Sequence, residues 1–299
     1  MEINKLFGGG AEQEQPRQEK KSDHLQFTVS HACACTDLVV QPLIYGLQKG
    51  LVKHDFKLEL ADGKTCTQRL VQGDAQIGLI PSIEYAKGKG AWKIIPDICI
   101  AHPHEIGSMA LFFNKDLHTL RRVAVDERYP TAIALLQIVL REKYEIEPKL
   151  IPMPSDLNKM LLNADAALLS GDLALKAQAE FPAHLDLGDE WYDLTEMPFV
   201  SAIWAGHELS LTENEATILK QSAEIGQQNI EKISKEFASR QKQDFGFYKN
   251  YLEKQTRYTL GVAEKESLTE FFSYAFYLGI IEHIPELHFL GEEENEKAK

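Results

Sequence analysis

The amino-acid sequence predicts an α/β protein of two lobes on central mixed sheets, with a helical C-terminal part. Three observations predict it. Short apolar or β-branched runs alternate with helical patterns through the first two-thirds, the rhythm of βαβ units. The pattern leaves one lobe near Ala101 and returns to it near Phe199, so two crossings link the lobes. A chain of 299 residues is long enough for two packed cores. Two crossings make a hinge, and a small carboxylate-bearing molecule held between the lobes would be buried by closure.

The elements follow in order. Leu25 to Ser30 alternates and is expected to be the first strand. A polar stretch, His31 to Asp37, separates it from a helix over Leu38 to Leu47 that ends at Lys49-Gly50. Phe56 to Leu60 is a strand, Lys64 to Gln72 a short helix and Ala75 to Ile80 a strand. Ile94 to Ala101 and Met109 to Asn114 are expected to be strands that cross between lobes. Val123 to Asp126 is a short strand, and Pro130 to Tyr144 a helix with apolar Ile133, Leu136, Ile138, Val139 and Leu140. Lys149 to Met153, Ala164 to Leu169, Leu185 to Leu187 and Phe199 to Ala205 are strands, with a helix at Ser155 to Leu162. Thr212-Glu213-Asn214-Glu215 has the form of a capping box. The helix it opens continues through Phe237, and a final helix spans Ser267 to Ile281. The expected division is therefore 25–101 plus 199–290 for the first lobe and 102–198 for the second. Residues 1–24 are expected to be a disordered leader and 291–299 a charged tail.

Charge and composition exclude some functions. The formal charge is −13 with no basic stripe, which argues against nucleic acid as a partner. No apolar run reaches the length of a membrane span, and the N-terminus lacks the apolar core of a signal peptide. Without an export signal, Cys33, Cys35, Cys66 and Cys99 are expected to be reduced thiols in a cytoplasmic protein. The oligomeric state is left open.

Candidate ligand contacts lie at strand-to-helix corners, where open α/β sheets bind ligands and free backbone N–H groups favour an anion. Three corners carry small hydroxyl residues: Pro81-Ser82, Pro130-Thr131 and Ser170-Gly171-Asp172. Ser108, before a crossing strand, is a fourth donor. The competing role of each is ordinary helix capping. His31, Cys33, Cys35 and Asp37 would share one face of an extended segment and are metal-ligand types. The spacing does not suit a structural zinc site, so no metal is assigned, and the thiols are read as small packing groups. His31, Thr36 or Asp37 could instead line the cleft. Asp126 is read as a cap, His102 and His104 as structural, and Trp191, Tyr192 and Trp204 as packing residues. No Gly-x-Ser-x-Gly elbow, Walker loop or Gly-x-Gly-x-x-Gly fingerprint is present.

The same corners carry a resemblance. Gly78-Leu79-Ile80-Pro81-Ser82-Ile83-Glu84-Tyr85 resembles a stretch of the chorismate dehydratase family, which acts in the futalosine route to menaquinone. Arg121 to Asp126, Thr131 with Ala134-Leu135-Leu136, Ala164 to Asp172, Leu194 to Val200 and Ala202 to Gly206 follow in the family's order. The similarity runs from about Phe27 to Ile281. It implies a type II periplasmic-binding-protein fold and loss of water from chorismate to give 3-[(1-carboxyvinyl)oxy]benzoate. Aromatisation drives that elimination, so no cofactor is implied. Ser82, Ser108 and Thr131 match pocket positions and are expected to bind substrate carboxylates, with Gly171 beside them. Asp172 matches a position expected to support the pocket. Family members run from the first strand into a Tyr-x-Asn segment just before the Pro-Leu of the first helix. Here Pro-Leu is Pro42-Leu43, no Asn precedes it, and the link from Ser30 is longer. Thr36 and Asp37 are the candidates to replace the missing polar group and carry catalysis. The alternatives are a sister enzyme acting on another small carboxylate and a non-catalytic binding protein for one.

Overall fold

The computed structural model describes residues 30–88, 92–181, 183–208, 210–241 and 244–292. The expected leader, residues 25–29 of the expected first strand, and 293–299 of the tail lie outside the described residues. Among the described residues, no helix is long and apolar enough to cross a membrane.

The first described strand corrects the expectation for this region. β1 is His31–Ala34, within the stretch read as a polar link. Ala32, Cys33 and Ala34 are all buried, so the strand shows no alternation and no bulky apolar signature. Parallel strands buried on both faces have this character. Only Cys35, Thr36 and Asp37 then separate β1 from a single 3₁₀ turn, Leu38–Val40, and α1, Gln41–Gln48. The link to Pro42 is short, not long.

β2 (Lys57–Leu60), α2 (Gly63–Gln72), β3 (Ile77–Pro81), α3 (Ser82–Lys87) and β4 (Trp92–His102) continue the first half. β5 (Met109–Phe113), β6 (Arg122–Val125), α4 (Pro130–Tyr144) and β7 (Lys149–Pro152) open the second. α5 (Leu157–Asn163), β8 (Ala166–Ser170), α6 (Asp172–Glu180), β9 (His184–Asp186) and α7 (Leu187–Thr195) complete it. The chain ends with β10 (Phe199–His207), α8 (Glu213–Gln228), α9 (Ile230–Gln241), α10 (Phe245–Asn250), β11 (Arg257–Leu260) and α11 (Val262–Tyr277). A π-helical turn, Tyr251–Gln255, precedes β11.

One sheet has the order β11-β4-β10-β3-β1-β2 and the other β7-β6-β8-β5-β9. Both are mixed. β1 runs parallel to β2 and β3, whereas β10 is antiparallel to β3 and β4. β6 runs parallel to β7 and β8, whereas β5 is antiparallel to β8 and β9. β4 pairs only in the first sheet and β5 only in the second, so the passage between sheets falls at 103–108 rather than within either strand. Asp186, which caps α7, anchors that passage: its buried carboxylate accepts from Ile106 N at 2.9 Å and Gly107 N at 2.7 Å.

Two helix expectations need correction. The long helix after Thr212 is two, α8 and α9, divided at Asn229. The last helix starts at Val262, not Ser267, because Glu264 reaches back to accept from Gly261 N at 3.0 Å. It ends at Tyr277, before Gly279 at φ +70°.

Helix α11 seals the join between sheets. Phe271 meets Phe199 of β10 at 5.2 Å and Trp191 of α7 at 6.0 Å, both edge-on. All three side chains are buried. Such edge-to-face clusters add about 0.5–1.5 kcal/mol per pair beyond area burial.

Candidate functional site

The carboxyl ends of β1, β2, β3 and β6 converge on one cavity of about 310 Å³. That is the lower end of the range for a small-molecule site. Cys35, Thr36, Asp37, Val39 and Val40 line it from the β1–α1 link, and Ala61 and Asp62 from the β2–α2 link with Gly63 at the start of α2. Arg128, Tyr129, Thr131 and Ala132 line it from the second sheet, at the start of α4. Met109 and Ser201 contribute from β5 and β10.

Two helix starts meet this space with different chemistry. Asp62 caps α2 with its own carboxylate, accepting from Thr65 N at 2.9 Å. That end is already neutralised. α4 begins with Tyr129 at the cap position and Pro130 in its first turn, and no side chain caps it. Its dipole and first N–H groups therefore favour an anion. Thr131 Oγ1 accepts from Ile83 N at 3.2 Å and lies 3.5 Å from Ser82 Oγ, so the starts of α3 and α4 are stitched together.

Arg128 is the cation of this wall. Asp126 grips it with a fork, Nε to Oδ1 at 3.0 Å and Nη2 to Oδ2 at 2.6 Å. Ser155 donates to the same carboxylate from N at 3.0 Å and Oγ at 2.8 Å. Burial works to raise the Asp126 carboxyl, but the bonds from Arg128 and Ser155 outweigh it and bring it below the usual carboxylate range. Asp126 thus caps the turn as expected, accepting from Arg128 N at 3.1 Å, and is an ionised buttress for the guanidinium as well. Half of the Arg128 side chain stays exposed, and no hydrogen bond from Nη1 holds it within the described residues. A planar guanidinium held by one edge suits a carboxylate on the other.

The facing wall carries an acid. Burial raises the Asp37 carboxyl above its ordinary value, opposed by the Cys35 thiol, which donates to Oδ2 at 3.6 Å, and by the Arg128 charge. Gly171 abuts this carboxylate: a Cβ there would fall 2.8 Å from Asp37 Oδ2, and φ is +69°. Glycine is required on both counts. Next to it, Asp172 Oδ1 accepts from Leu38 N at 2.8 Å. The β1–α1 link of one sheet is therefore held against the start of α6 from the other. Burial, then the nearby Asp37 charge, pushes the Asp172 carboxyl up to about 7.

Of the residues singled out in the sequence, Cys35, Thr36, Asp37, Pro81 and Thr131 line the cavity. Ser82 is fully buried against Thr131. Ser108, Gly171 and Asp172 are not among the lining residues. Ser108 Oγ accepts from Tyr251 at 2.9 Å and its carbonyl from Gly171 N at 2.8 Å, so the three form a support behind Asp37. His102 is buried and pulled down to about 4 by burial, and bonds the Gln255 carbonyl at 2.9 Å. His104 lies tilted against the Tyr192 ring, centroids 3.9 Å apart, and is not among the lining residues. Arg128, Tyr129, Met109 and Ser201 were not legible as site residues. The one available signal was Asp126-x-Arg128 just before a helix-opening proline. Among the described residues, no group of three His, Cys, Asp or Glu could hold a metal ion.

Comparison with known proteins supplies a context for this cavity. A family model described as menaquinone biosynthesis matches residues 33–277. A chorismate dehydratase of Thermus thermophilus is 31% identical over 153 residues. The match covers 46% of this chain and 56% of that relative, little more than half its length. A solved structure from Archaeoglobus fulgidus superposes with a TM-score of 0.70 at 16% identity, covering 84% of this chain and 98% of that one. The periplasmic aliphatic sulphonate binding protein of Escherichia coli gives 0.59 at 14% identity, covering 91% and 96%. These structural neighbours establish a periplasmic-binding-protein-like fold.

Proposed function

Because this chain belongs to the menaquinone biosynthesis family, we propose that its cavity removes water from chorismate to give 3-[(1-carboxyvinyl)oxy]benzoate. One observation carries this reading. A preorganised cation and an uncapped helix start, Arg128 with Thr131 and α4, line the same small cavity as the raised carboxyl of Asp37. A dicarboxylate is held on one wall with its ring presented to a base on the other.

The step needs no net redox change. The Asp37 carboxylate takes the ring C–H proton next to the hydroxyl-bearing carbon. The C–H electron pair becomes a ring π bond, the C–O bond breaks, and hydroxide departs with the proton that Asp37 returns. Water leaves, and Asp37 is restored. A base with a raised pKa is the stronger one, and burial supplies the rise. Thr36, at the rim, is the hydroxyl beside the departing group. Arg128, Thr131 and the α4 start fix the carboxylates, with Ser82 behind Thr131. Ser108, Gly171 and Asp172 keep Asp37 in place. Most of the acceleration then comes from orientation and preset charge in a closed site.

The test is product identification. Purified chain incubated with chorismate is expected to give the enol-ether benzoate and water, identified by mass spectrometry. Asp37→Asn is expected to lower kcat by about 10²–10⁴-fold with binding retained. Turnover of a later intermediate of the same pathway, with none of chorismate, would select a sister activity.

A further inference from the structure

We propose that Cys33 and Cys66 form an oxidisable dithiol that closes to a disulfide and ties together two walls of the cavity. The two sulfur atoms are 2.7 Å apart, and both residues are fully buried. Cys33 lies in the middle of β1 and Cys66 in the first turns of α2. The apolar cluster around them adds just Ala75 and Ala61, and the two sulfurs are in direct contact. All four cysteines are free thiols as the chain stands, and Cys99 is apart in β4, bonded to the Thr259 carbonyl at 3.3 Å.

The pair is chemically unequal. The hydrogen bond from Cys66 lowers the Cys33 thiol against the effect of burial, and Arg69 lowers it further. The same bond raises Cys66, with burial adding to it. Such asymmetry prepares one sulfur as the nucleophile and the other as its proton-bearing partner. Cys35 follows at the end of β1 and lines the cavity, which brings the open cleft within two residues of Cys33.

With a peroxide as oxidant, the Cys33 thiolate attacks one oxygen. An S–O bond forms, the O–O bond breaks, and the hydroxide released is protonated to water. Cys66 sulfur then attacks Cys33 sulfur. The S–S bond forms, the S–OH bond breaks, and that hydroxide takes the Cys66 proton to give a second water. Two thiols are oxidised and one peroxide is reduced.

The consequence falls on the site. β1 leads directly to Cys35-Thr36-Asp37, and α2 follows directly on Ala61-Asp62, both cavity walls. The cross-link fixes these two links to one another and removes chain entropy from the unfolded state. It does not rest on the proposed reaction.

The test is a thiol count on the full-length chain. Protein treated with hydrogen peroxide, then denatured and alkylated, is expected to take up two alkyl groups instead of four, with a Cys33–Cys66 peptide in the digest. Dithiothreitol should restore four. The oxidised form is expected to melt about 5 °C higher, reversibly. Cys35→Ser should still form the link, whereas Cys33→Ser and Cys66→Ser should keep all three of their thiols. Four alkyl groups on treated wild type, or a link through Cys35 or Cys99, would overturn the proposal.

Discussion

Asp37 and Arg128 owe their properties to neighbours that are not among the residues lining the cavity. Gly171 leaves room for the Asp37 carboxylate, and the buried Asp126 holds Arg128 by one edge. Removing the cation by Arg128→Met is expected to weaken binding of a carboxylate ligand about 10–100-fold, measured by calorimetry, with the fold intact. Thr131→Val removes one hydroxyl, and a loss of about 5–10-fold is expected. The acid across the join gives a pH signature. Asp172 ionises near 4 in the unfolded chain and at about 7 when folded. Between those values the folded chain holds the extra proton, so stability falls as pH rises through this window. Asn at this position can still accept from Leu38 N. Asp172→Asn is therefore expected to raise the melting temperature at pH 8 and to change it little at pH 4; an equal effect at both would contradict the assignment. Arg128 also shows what the sequence could not disclose. A lone arginine after a strand reads as surface charge; Asp126 and the start of α4 are its sequence neighbours, but only the fold brings Asp37 of the β1–α1 link to the same cavity.

Helices α1 and α8 set the position of the β1–α1 link. Ser222 Oγ donates to the Leu43 carbonyl at 2.9 Å and accepts from Leu47 N at 3.2 Å. Gly226 sits so close to Pro42 that a Cβ would fall inside the Pro42 carbonyl oxygen. Gly226→Ala must push α1 and α8 apart, and a loss of about 1–3 kcal/mol is expected in denaturant unfolding. Because α1 carries the link that ends in Asp37, turnover should fall with it. At this scale most of the chain was legible. The apolar period of α4, the strand β7 after it and the capping box of α8 follow from pattern alone. β1 did not, because His-Ala-Cys-Ala has no bulky or alternating residues; its strand character comes from pairing on both edges with β2 and β3. The apparent insertion before Pro42 vanished once that pairing was known.

Over the whole molecule, long-range contacts of several kinds join the two sheets. The aromatic cluster of Trp191, Phe199 and Phe271 closes one side, Asp186 anchors the crossing chain, and Asp172 grips the Leu38 backbone at the cavity. The alternation of strands with helices and the helical end were read from pattern, which pointed to mostly parallel strands; the antiparallel pairings of β10 and β5 and these joining contacts are long-range and left no local trace. A ligand seated between the sheets should stabilise the folded chain as its concentration passes Kd, which thermal shift can follow. Central to the account is the pairing of a carboxylate-binding wall with the carboxyl of Asp37. The most direct test is to measure chorismate binding and turnover in the same sample, for the wild-type chain and Asp37→Asn. The account predicts that both proteins are stabilised by chorismate and that only the wild type converts it, one product formed for each chorismate lost. Chorismate left intact by the wild type at concentrations that saturate the thermal shift would contradict it.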